Sequence, residues 1–141
     1  MKQGLKIALI ISLVLASISA ALLYYNYYFV FSEGTRVGVL IKFSKKGNVF
    51  KTYEGEIIQP GITSNSGANS NMRSNTFKFS VTNKVLADSL MGLQGQELEL
   101  HYKQFKKNLP WRGDTYTDQD GQYIIDELVR VKNNTPNAYG L

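Results

Sequence analysis

The pattern of apolar and polar positions changes once along the chain, near residue 32. Before that point no charged residue occurs from Ile7 to Phe31, and Asn26 is the only strongly polar side chain. After it, apolar and polar residues alternate in short runs, separated by stretches rich in Gly, Asn and Ser. Such alternation is typical of strands that bury one face. The sequence therefore predicts a hydrophobic helix followed by a mainly β domain.

The hydrophobic segment, residues 7–31, is long enough to cross a membrane. A helix of about 20 apolar residues spans a hydrocarbon layer about 30 Å thick. Tyrosine rings suit the level of the lipid headgroups. Four of them lie at the C-terminal end of this segment: Tyr24, Tyr25, Tyr27 and Tyr28. We therefore expect a single transmembrane helix over residues 7–31, preceded by a short tail over residues 1–6.

A cleaved signal peptide is the alternative for this segment. Lys2 and Lys6 form a basic start, and Ser19-Ala20-Ala21 offers a cleavage site. The apolar run continues beyond that site to Phe31 and exceeds the core of a typical signal peptide, about 7–15 residues. We therefore expect a retained anchor. A short N-terminal tail usually stays in the cytoplasm, so we expect the domain on the outer face, although the basic residues after the segment do not favour that orientation.

The remaining chain predicts five strands and one helix. The strands are predicted from Thr35 onward and over Val49–Ile58, Thr76–Val81, Glu97–Phe105 and Tyr123–Val131. Between the third and fourth strands, apolar residues recur at helical spacing after Asn83, which can cap a helix. Gly92 or Gly95 can end that helix. Polar stretches over residues 59–75 and 106–122 predict loops, with a turn at Gly47 between the first two strands.

The predicted order β-β-β-α-β-β is the element order of the OB-fold barrel. Closing five strands into a barrel also leaves no exposed strand edge. A split sheet with the helix packed on one face has the same order and stays open as an alternative. We predict a mainly β fold with one helix, a five-stranded OB-like barrel over residues 32–132, and a flexible tail over residues 133–141.

Composition excludes several kinds of chemistry. The chain has no cysteine and one histidine, His101, so we expect neither a zinc site nor a thiol nucleophile. Residues 116–127 resemble a calcium loop but begin with Tyr116 where aspartate is required. Phosphate-binding and nucleophile motifs are missing, so we expect no cofactor and no enzyme. A hydrolase that uses a pair of carboxylates stays open as a minor alternative.

The predicted domain has a mild charge of mixed sign. It holds 14 of the 16 Lys and Arg residues and all 11 Asp and Glu residues, interspersed along the chain. A dedicated nucleic-acid binder usually concentrates basic residues on one stripe. We therefore expect no nucleic-acid partner.

The loop around Trp111 is the strongest candidate binding element. Loops carry function more often than core positions, and tryptophan and arginine dominate interface energetics. The candidate binding residues are Trp111, Arg112, Asp114, Arg36, Lys51 and Glu54. The structural alternative is that Trp111 fills one end of the barrel while Arg112 pairs with Asp114 or Glu54.

Four motifs carry a resemblance to a family. They are Ser32-Glu33-Gly34-x-Arg36-x-Gly38, Lys42-x-Ser44-x-Lys46-Gly47, Lys51-Thr52-x-Glu54-Gly55 and Leu109-Pro110-Trp111-Arg112-Gly113-Asp114-Thr115. Over Ser32 to about Val131 the chain resembles small single-pass membrane proteins of Gram-negative bacteria, a family without a characterised function. Some members carry the name 6-phosphogluconate dehydrogenase, which does not fit here because such an enzyme needs a nucleotide-binding fold with its glycine fingerprint. The resemblance implies the bacterial inner membrane and supplies no catalytic residues.

Two functions follow as expectations. The first is a non-enzymatic accessory or binding subunit of a bacterial envelope assembly, held in lipid by residues 7–31, with its domain on the periplasmic side and another membrane or envelope protein as its partner. The alternative is a barrel face that binds a glycan or another anionic polymer. Its candidate residues are Phe50, Tyr53, Phe77, Phe79, Lys51, Lys78 and Arg73.

Overall fold

A computed structural model describes residues 2–59, 76–114 and 119–132. Its elements are α1 (Lys2–Tyr27), β1 (Val30–Lys46), β2 (Thr52–Ile58), β3 (Thr76–Val81), α2 (Lys84–Met91), β4 (Glu97–Phe105) and β5 (Gln122–Lys132). The predicted mainly β domain of five strands behind an apolar helix is confirmed. Residues 60–75 of the loop predicted over 59–75, residues 116–118 of the calcium-like stretch 116–127, and the tail at 133–141 lie outside the described residues.

α1 and β1 meet earlier than the sequence pattern indicates. The helix covers residues 2–27 rather than 7–31, and only Tyr28 and Phe29 separate it from β1. β1 starts at Val30, five residues before the predicted start. The sequence pattern does not show this junction, because Val30 and Phe31 continue the apolar run. In the structure Val30 already pairs with Phe105 of β4. The barrel therefore follows the helix with almost no linker.

The five strands close into a barrel in the order β1-β2-β3-β5-β4. β1 is 17 residues long and pairs with β4 along its first part and with β2 along its second. An irregularity between Leu40 and Lys42 lies where β1 passes from one neighbour to the other. β3 and β5 run parallel, and every other neighbouring pair is antiparallel. Closure leaves no edge strand.

Inward-facing side chains and the helix between β3 and β4 form the core. The buried cluster comprises Leu40, Phe43, Ile57, Phe77, Phe79, Val81, Ala87, Leu90, Leu98, Leu100 and Ile125. Asn83 caps α2 as predicted, since its Oδ1 accepts hydrogen bonds from the N–H groups of Val85 and Leu86. Gly55 lets two core rings meet, because a Cβ at this position would lie 2.5 Å from Phe79 Cζ and 2.9 Å from Phe43 Cδ2.

Candidate functional site

The segment between β4 and β5 folds back over the outside of the barrel. We call residues 106–114 the strap. Leu109 in the strap is buried, and Gly113 packs against Ser80 of β3 and Gln122 of β5. Outward-facing positions of a strand are normally solvated. The strap buries such positions on β2, β3 and β5, and a polar cluster forms beneath it.

Glu54 is the central acceptor of this cluster. Its side chain is 4% exposed although it points away from the barrel interior. Oε1 accepts hydrogen bonds from Thr52 Oγ1 at 2.5 Å and from the N–H of Asp114 at 3.0 Å, and Oε2 accepts one from Ser80 Oγ at 2.6 Å. A buried carboxylate needs such donors. Glu54 thus ties the end of the strap to two neighbouring strands.

Gly113 allows the strap to approach β3 closely. A Cβ on Gly113 would overlap the Ser80 hydroxyl and lie 2.5 Å from Ser80 Cβ and 2.9 Å from Gln122 Nε2. Contacts that short do not occur between real side chains, so the strap cannot seat with a larger residue here. This close approach is what brings the Asp114 N–H within reach of Glu54.

Gln122 and Arg112 hold the middle of the strap. Gln122 is 1% exposed; its Nε2 donates to the carbonyl of Leu109 and its Oε1 accepts from the N–H of Leu109 and from Arg112 Nε. The Arg112 guanidinium also stacks 3.8 Å above the ring of Phe105. Burial lowers the pKa of Arg112, and the electrostatic interaction with Tyr28 opposes part of that shift.

The strap also contacts the C-terminal end of α1. Arg112 Nη1 donates to the carbonyl of Tyr27 at 2.7 Å, and Nη2 donates to the carbonyl of Lys107. The last carbonyls of a helix have no partner within the helix, so Tyr27 gains a donor it otherwise lacks. Lys106 Nζ donates to Tyr25 Oη at 2.9 Å and lies 4.3 Å from the centre of that ring. Residues 80 or more positions apart in sequence therefore join the barrel to the helix.

An apolar surface lies on the outer side of the strap. Trp111 is 55% exposed, and its ring meets the edge of Phe50, which is 50% exposed, at 6.1 Å between ring centres. Val49 beside Phe50 is 85% exposed. We call these three residues the Trp111 surface. They lie in the strap and in the β1–β2 turn, where Gly47 has the positive φ that the turn prediction expected.

A cleft of about 280 Å³ lies next to the Trp111 surface. Its lining includes Lys46, Asn48, Phe50, Pro110 and Asp114. Lys46 Nζ lies 2.9 Å from Asp114 Oδ2, and this hydrogen bond is the main reason that the pKa of Lys46 is raised. The cleft therefore presents a fixed ion pair beside an exposed aromatic ring.

The structure places the six candidate binding residues in two separate regions. Five lie in the strap, in the polar cluster beneath it or in the β1–β2 turn. They are Trp111, Arg112 and Asp114 in the strap, Glu54 in the cluster and Lys51 in the turn. Arg36 lies elsewhere, with its guanidinium 4.3 Å from the centre of the Phe77 ring and 5.8 Å from that of Tyr102. It packs on an aromatic cluster inside the barrel, where Tyr123 also contacts both rings.

The structural alternative for the loop is wrong in its details. Trp111 does not fill the barrel, because more than half of its surface is exposed. Arg112 contacts Gln122, Tyr27 and Lys107, whereas Asp114 pairs with Lys46 and Glu54 bonds to hydroxyl groups. Sequence reasoning missed Gln122, Ser80 and Thr52. Ser80 and Thr52 occupy outward strand positions that indicated ordinary surface residues, and Gln122 is the last residue of a predicted loop.

The aromatic residues proposed for polymer binding are mostly internal. Phe77 and Phe79 are 4% and 0% exposed, and Tyr53 packs against Phe43 in the core. Of the four, Phe50 alone is well exposed, and Arg73 lies outside the described residues. The outward-facing positions of β2 and β3 hold no aromatic residue on which a base or sugar could stack.

The single histidine belongs to a surface ion-pair group. His101 Nδ1 lies 2.5 Å from Asp126 Oδ1, and Lys103 Nζ lies 3.1 Å from Asp126 Oδ2. Burial opposes ionisation of Asp126, but its hydrogen bonds with His101 and Lys103 outweigh that effect and hold its pKa below the ordinary value. Within residues 2–59, 76–114 and 119–132, no group of three or more metal-ligating side chains occurs.

One family model matches four of the five strands of the barrel together with the strap. A family model described as a domain of unknown function, DUF8785, matches residues 30–116. The chain belongs to the DUF8785 family. The DUF8785 match begins at the first residue of β1 and ends two residues past the strap, so it contains the Glu54 and Trp111 motifs and excludes α1 and β5. Searches of curated proteins and of solved structures found no match.

Proposed function

We propose that this protein is a membrane-anchored, non-enzymatic binding module that serves as an accessory subunit of a bacterial envelope assembly. The observation that carries the proposal is the attachment of the strap to the end of α1. Arg112 and Lys106 bond to Tyr27 and Tyr25, and only two residues separate α1 from β1. A domain held so closely on its helix acts at the membrane surface and not at a distance from it.

α1 supports the anchoring half of the proposal. The helix is 26 residues long with a mean hydropathy of 2.5 in its most apolar window, and none of that window is buried by the barrel. A helix that is apolar all round is suited to lipid. A signal sequence passes the same test of length and composition. We propose retention because the apolar run extends beyond Ala21 to the tyrosines that the strap contacts.

The barrel supports an OB-like assignment. Its cyclic order β1-β2-β3-β5-β4, with a helix between β3 and β4, is that of a five-stranded Greek-key barrel. In such barrels ligands are bound on the β2–β3 face and by the loops that join β1 to β2 and β4 to β5. The Trp111 surface is built from those two loops. Binding through loops on a fixed scaffold is thus the mode of action that this geometry favours.

We propose the bacterial inner membrane with the domain on the periplasmic side. The resemblance to bacterial single-pass proteins supports this placement. The chain has no cysteine, so a Ser89→Cys variant carries a single label site on the exposed side of α2. An impermeant maleimide should label it from the periplasmic side of spheroplasts, and labelling only after lysis would place the domain in the cytoplasm.

The assembly proposal predicts a defined protein neighbour. A photo-crosslinking residue at Val14 in the middle of α1 tests for a neighbour within the membrane. Another at Val85, which is 76% exposed on α2, tests for a neighbour on the domain outside the strap. We expect at least one position to give a discrete heteromeric adduct that also co-purifies in mild detergent. The matched control is a crosslinker at Lys84 in the same helix turn, which tests whether an adduct depends on position.

Two outcomes would contradict this proposal. One is a monomer without a protein adduct from Val14 or Val85 under conditions in which the chain stays in the membrane. The other is catalytic turnover of a substrate by the purified chain, if that activity is lost when a carboxylate such as that of Glu56 is replaced. The second outcome would favour the hydrolase alternative.

A further inference from the structure

Exposed apolar residues and basic residues occur together in the strap and the β1–β2 turn. Val49, Phe50 and Trp111 expose 85%, 50% and 55% of their surface, and Pro110 beside Trp111 is also exposed. Large apolar side chains at loop tips cost solubility unless something covers them. The polar cluster beneath the strap holds the segment that carries Trp111, so the fold itself keeps this side chain exposed.

The same two loops hold the positive charge of the domain. Residues 46–51 and 106–114 contain five Lys or Arg and one acidic residue, Asp114. Their net charge is +4, whereas the remaining nine basic and ten acidic residues after residue 31 give −1. The basic residues are Lys46, Lys51, Lys106, Lys107 and Arg112. Apolar tips with basic flanks match the composition of elements that lie in the interface of an anionic membrane.

The position of the strap relative to α1 identifies the membrane as the occupant. If the apolar segment crosses the bilayer, about 20 residues from Ile7 place Tyr25 and Tyr27 at the boundary of the hydrocarbon. Arg112 and Lys106 bond directly to these two residues. Trp111 precedes Arg112, so their Cα atoms lie about 3.8 Å apart. The strap is therefore at the level of the lipid headgroups, and lipid is the nearest surface for Trp111 to meet.

We propose that the Trp111 surface lies in the interface of the same bilayer that α1 crosses, with Lys106 and Lys107 facing anionic headgroups. The tryptophan ring, with its apolar body and polar N–H, is the side chain most suited to this level. The inference rests on the anchoring part of the proposed function and adds a second point of contact. The barrel then has a fixed tilt on the membrane, and α2 lies beyond the end of β4 that is farther from Lys106.

The only tryptophan of the chain provides a direct test. The full chain is reconstituted in phosphatidylcholine vesicles with and without phosphatidylglycerol, using lipids with bromine at the upper acyl carbons as quenchers. We expect strong quenching of Trp111 and weak quenching by aqueous iodide. The control variant combines Trp111→Phe with Val85→Trp, which moves the reporter to an exposed site on α2. We expect the reverse pattern there.

The lysines of the strap should make docking of the Trp111 surface depend on the charge of the lipid. Each basic residue at an anionic surface shifts a docking equilibrium roughly fivefold. Lys107→Gln should lower the docking equilibrium, read from iodide quenching of Trp111, by about that factor in vesicles with phosphatidylglycerol, with little change in pure phosphatidylcholine. Lys84→Gln on α2 is the matched control and should have no effect.

The outcomes separate this inference from the anchoring proposal. Vesicle flotation reports anchoring alone. A chain that floats while Trp111 and the Val85→Trp reporter are quenched equally by iodide overturns the inference and leaves the anchor in place. A chain that does not float overturns the anchor. Burial of Trp111 in native membranes but not in pure lipid vesicles would overturn the inference in favour of a protein partner.

Discussion

Glu54→Ala should destabilise the domain by about 3 kcal/mol, because each buried polar group left without a partner costs roughly 1–3 kcal/mol. The substitution removes the acceptor of three hydrogen bonds, from Thr52, Ser80 and the N–H of Asp114. The strap would lose its attachment to β2 and β3 together. For a domain of this size such a loss lowers Tm by more than about 10 °C. Urea and thermal unfolding of the full chain in detergent, followed by Trp111 fluorescence, measure it.

Glu56→Ala is the matched control for this prediction. Glu56 lies two residues further along β2, points to the same side and is partly exposed beyond the strap. Its loss should change the free energy of unfolding by no more than about 0.5 kcal/mol. Glu54→Gln keeps the shape and one acceptor oxygen, so we expect an intermediate effect. Equal stabilities for Glu54→Ala and Glu56→Ala would show that Glu54 does not hold the strap.

Gly113→Ala should displace the strap. The added methyl group would overlap Ser80, which lies in a central strand of the barrel and cannot move far. Overpacking of a closely packed contact typically costs about 1–3 kcal/mol. The loss of the Asp114–Glu54 hydrogen bond adds to it. We expect a loss of unfolding free energy close to that of Glu54→Ala, together with a change in Trp111 emission in the folded state.

A double-mutant cycle identifies the cause of that loss. Ser80→Gly removes both atoms nearest to the new methyl group, at a cost of its own from the lost hydrogen bond to Glu54 and from a glycine in a strand. If the overlap is responsible, Ser80→Gly combined with Gly113→Ala should be more stable than the sum of the two single effects by at least about 1 kcal/mol. Additive effects would mean that Gly113 acts through backbone freedom alone. Gly92→Ala, which meets only one atom within 4 Å, is the control for a generic glycine effect.

The strands that follow a strict alternation were predictable from the sequence. β3 and β4 have the predicted bounds, and α2 has the predicted cap at Asn83, because local pattern and tertiary burial agree there. β2 starts at Thr52 and not at Val49. Val49 and Phe50 are strong β-formers, but they lie in an exposed turn, where a contact with Trp111 replaces strand pairing. Intrinsic propensity is overridden by tertiary context at such positions.

The polar cluster under the strap was not predictable from local pattern. Alternation puts Glu54 and Ser80 on the outside of the barrel, and Gln122 belongs to a predicted loop. The strap, which returns across three strands, covers all three residues. Composition indicated Trp111 and Arg112 as functional candidates. It did not indicate that Arg112 reaches the end of α1, because that contact spans 85 residues of sequence.

The structure shows what several residues of the motifs that carry the family resemblance do physically. Glu54 and Gly113 fix the strap, Gly55 makes room for Phe79, and Arg36 packs over Phe77 inside the barrel. Most of these roles are structural. Trp111 is different, because it is more than half exposed and the described residues leave its outer side uncovered except at Phe50. Within the DUF8785 region it is therefore the residue on which we expect binding to depend most.

The attachment of the strap to α1 is the central claim, and one crosslinking measurement tests it most directly. The cysteine-free chain takes the pair Tyr25→Cys and Lys106→Cys, whose native side chains meet at 2.9 Å, while Glu54 and Arg112 still hold the strap. The control pair is Tyr25→Cys with Ser89→Cys. Lys106, next to Tyr25, follows β4 and α2 precedes it, so the length of this strand separates the two sites by about 25 Å. With a short bismaleimide in nanodiscs that hold one chain each, the first pair should crosslink rapidly within the chain and the second hardly at all. Equal, slow crosslinking of both pairs would show that the barrel moves freely on its helix, and would contradict the account.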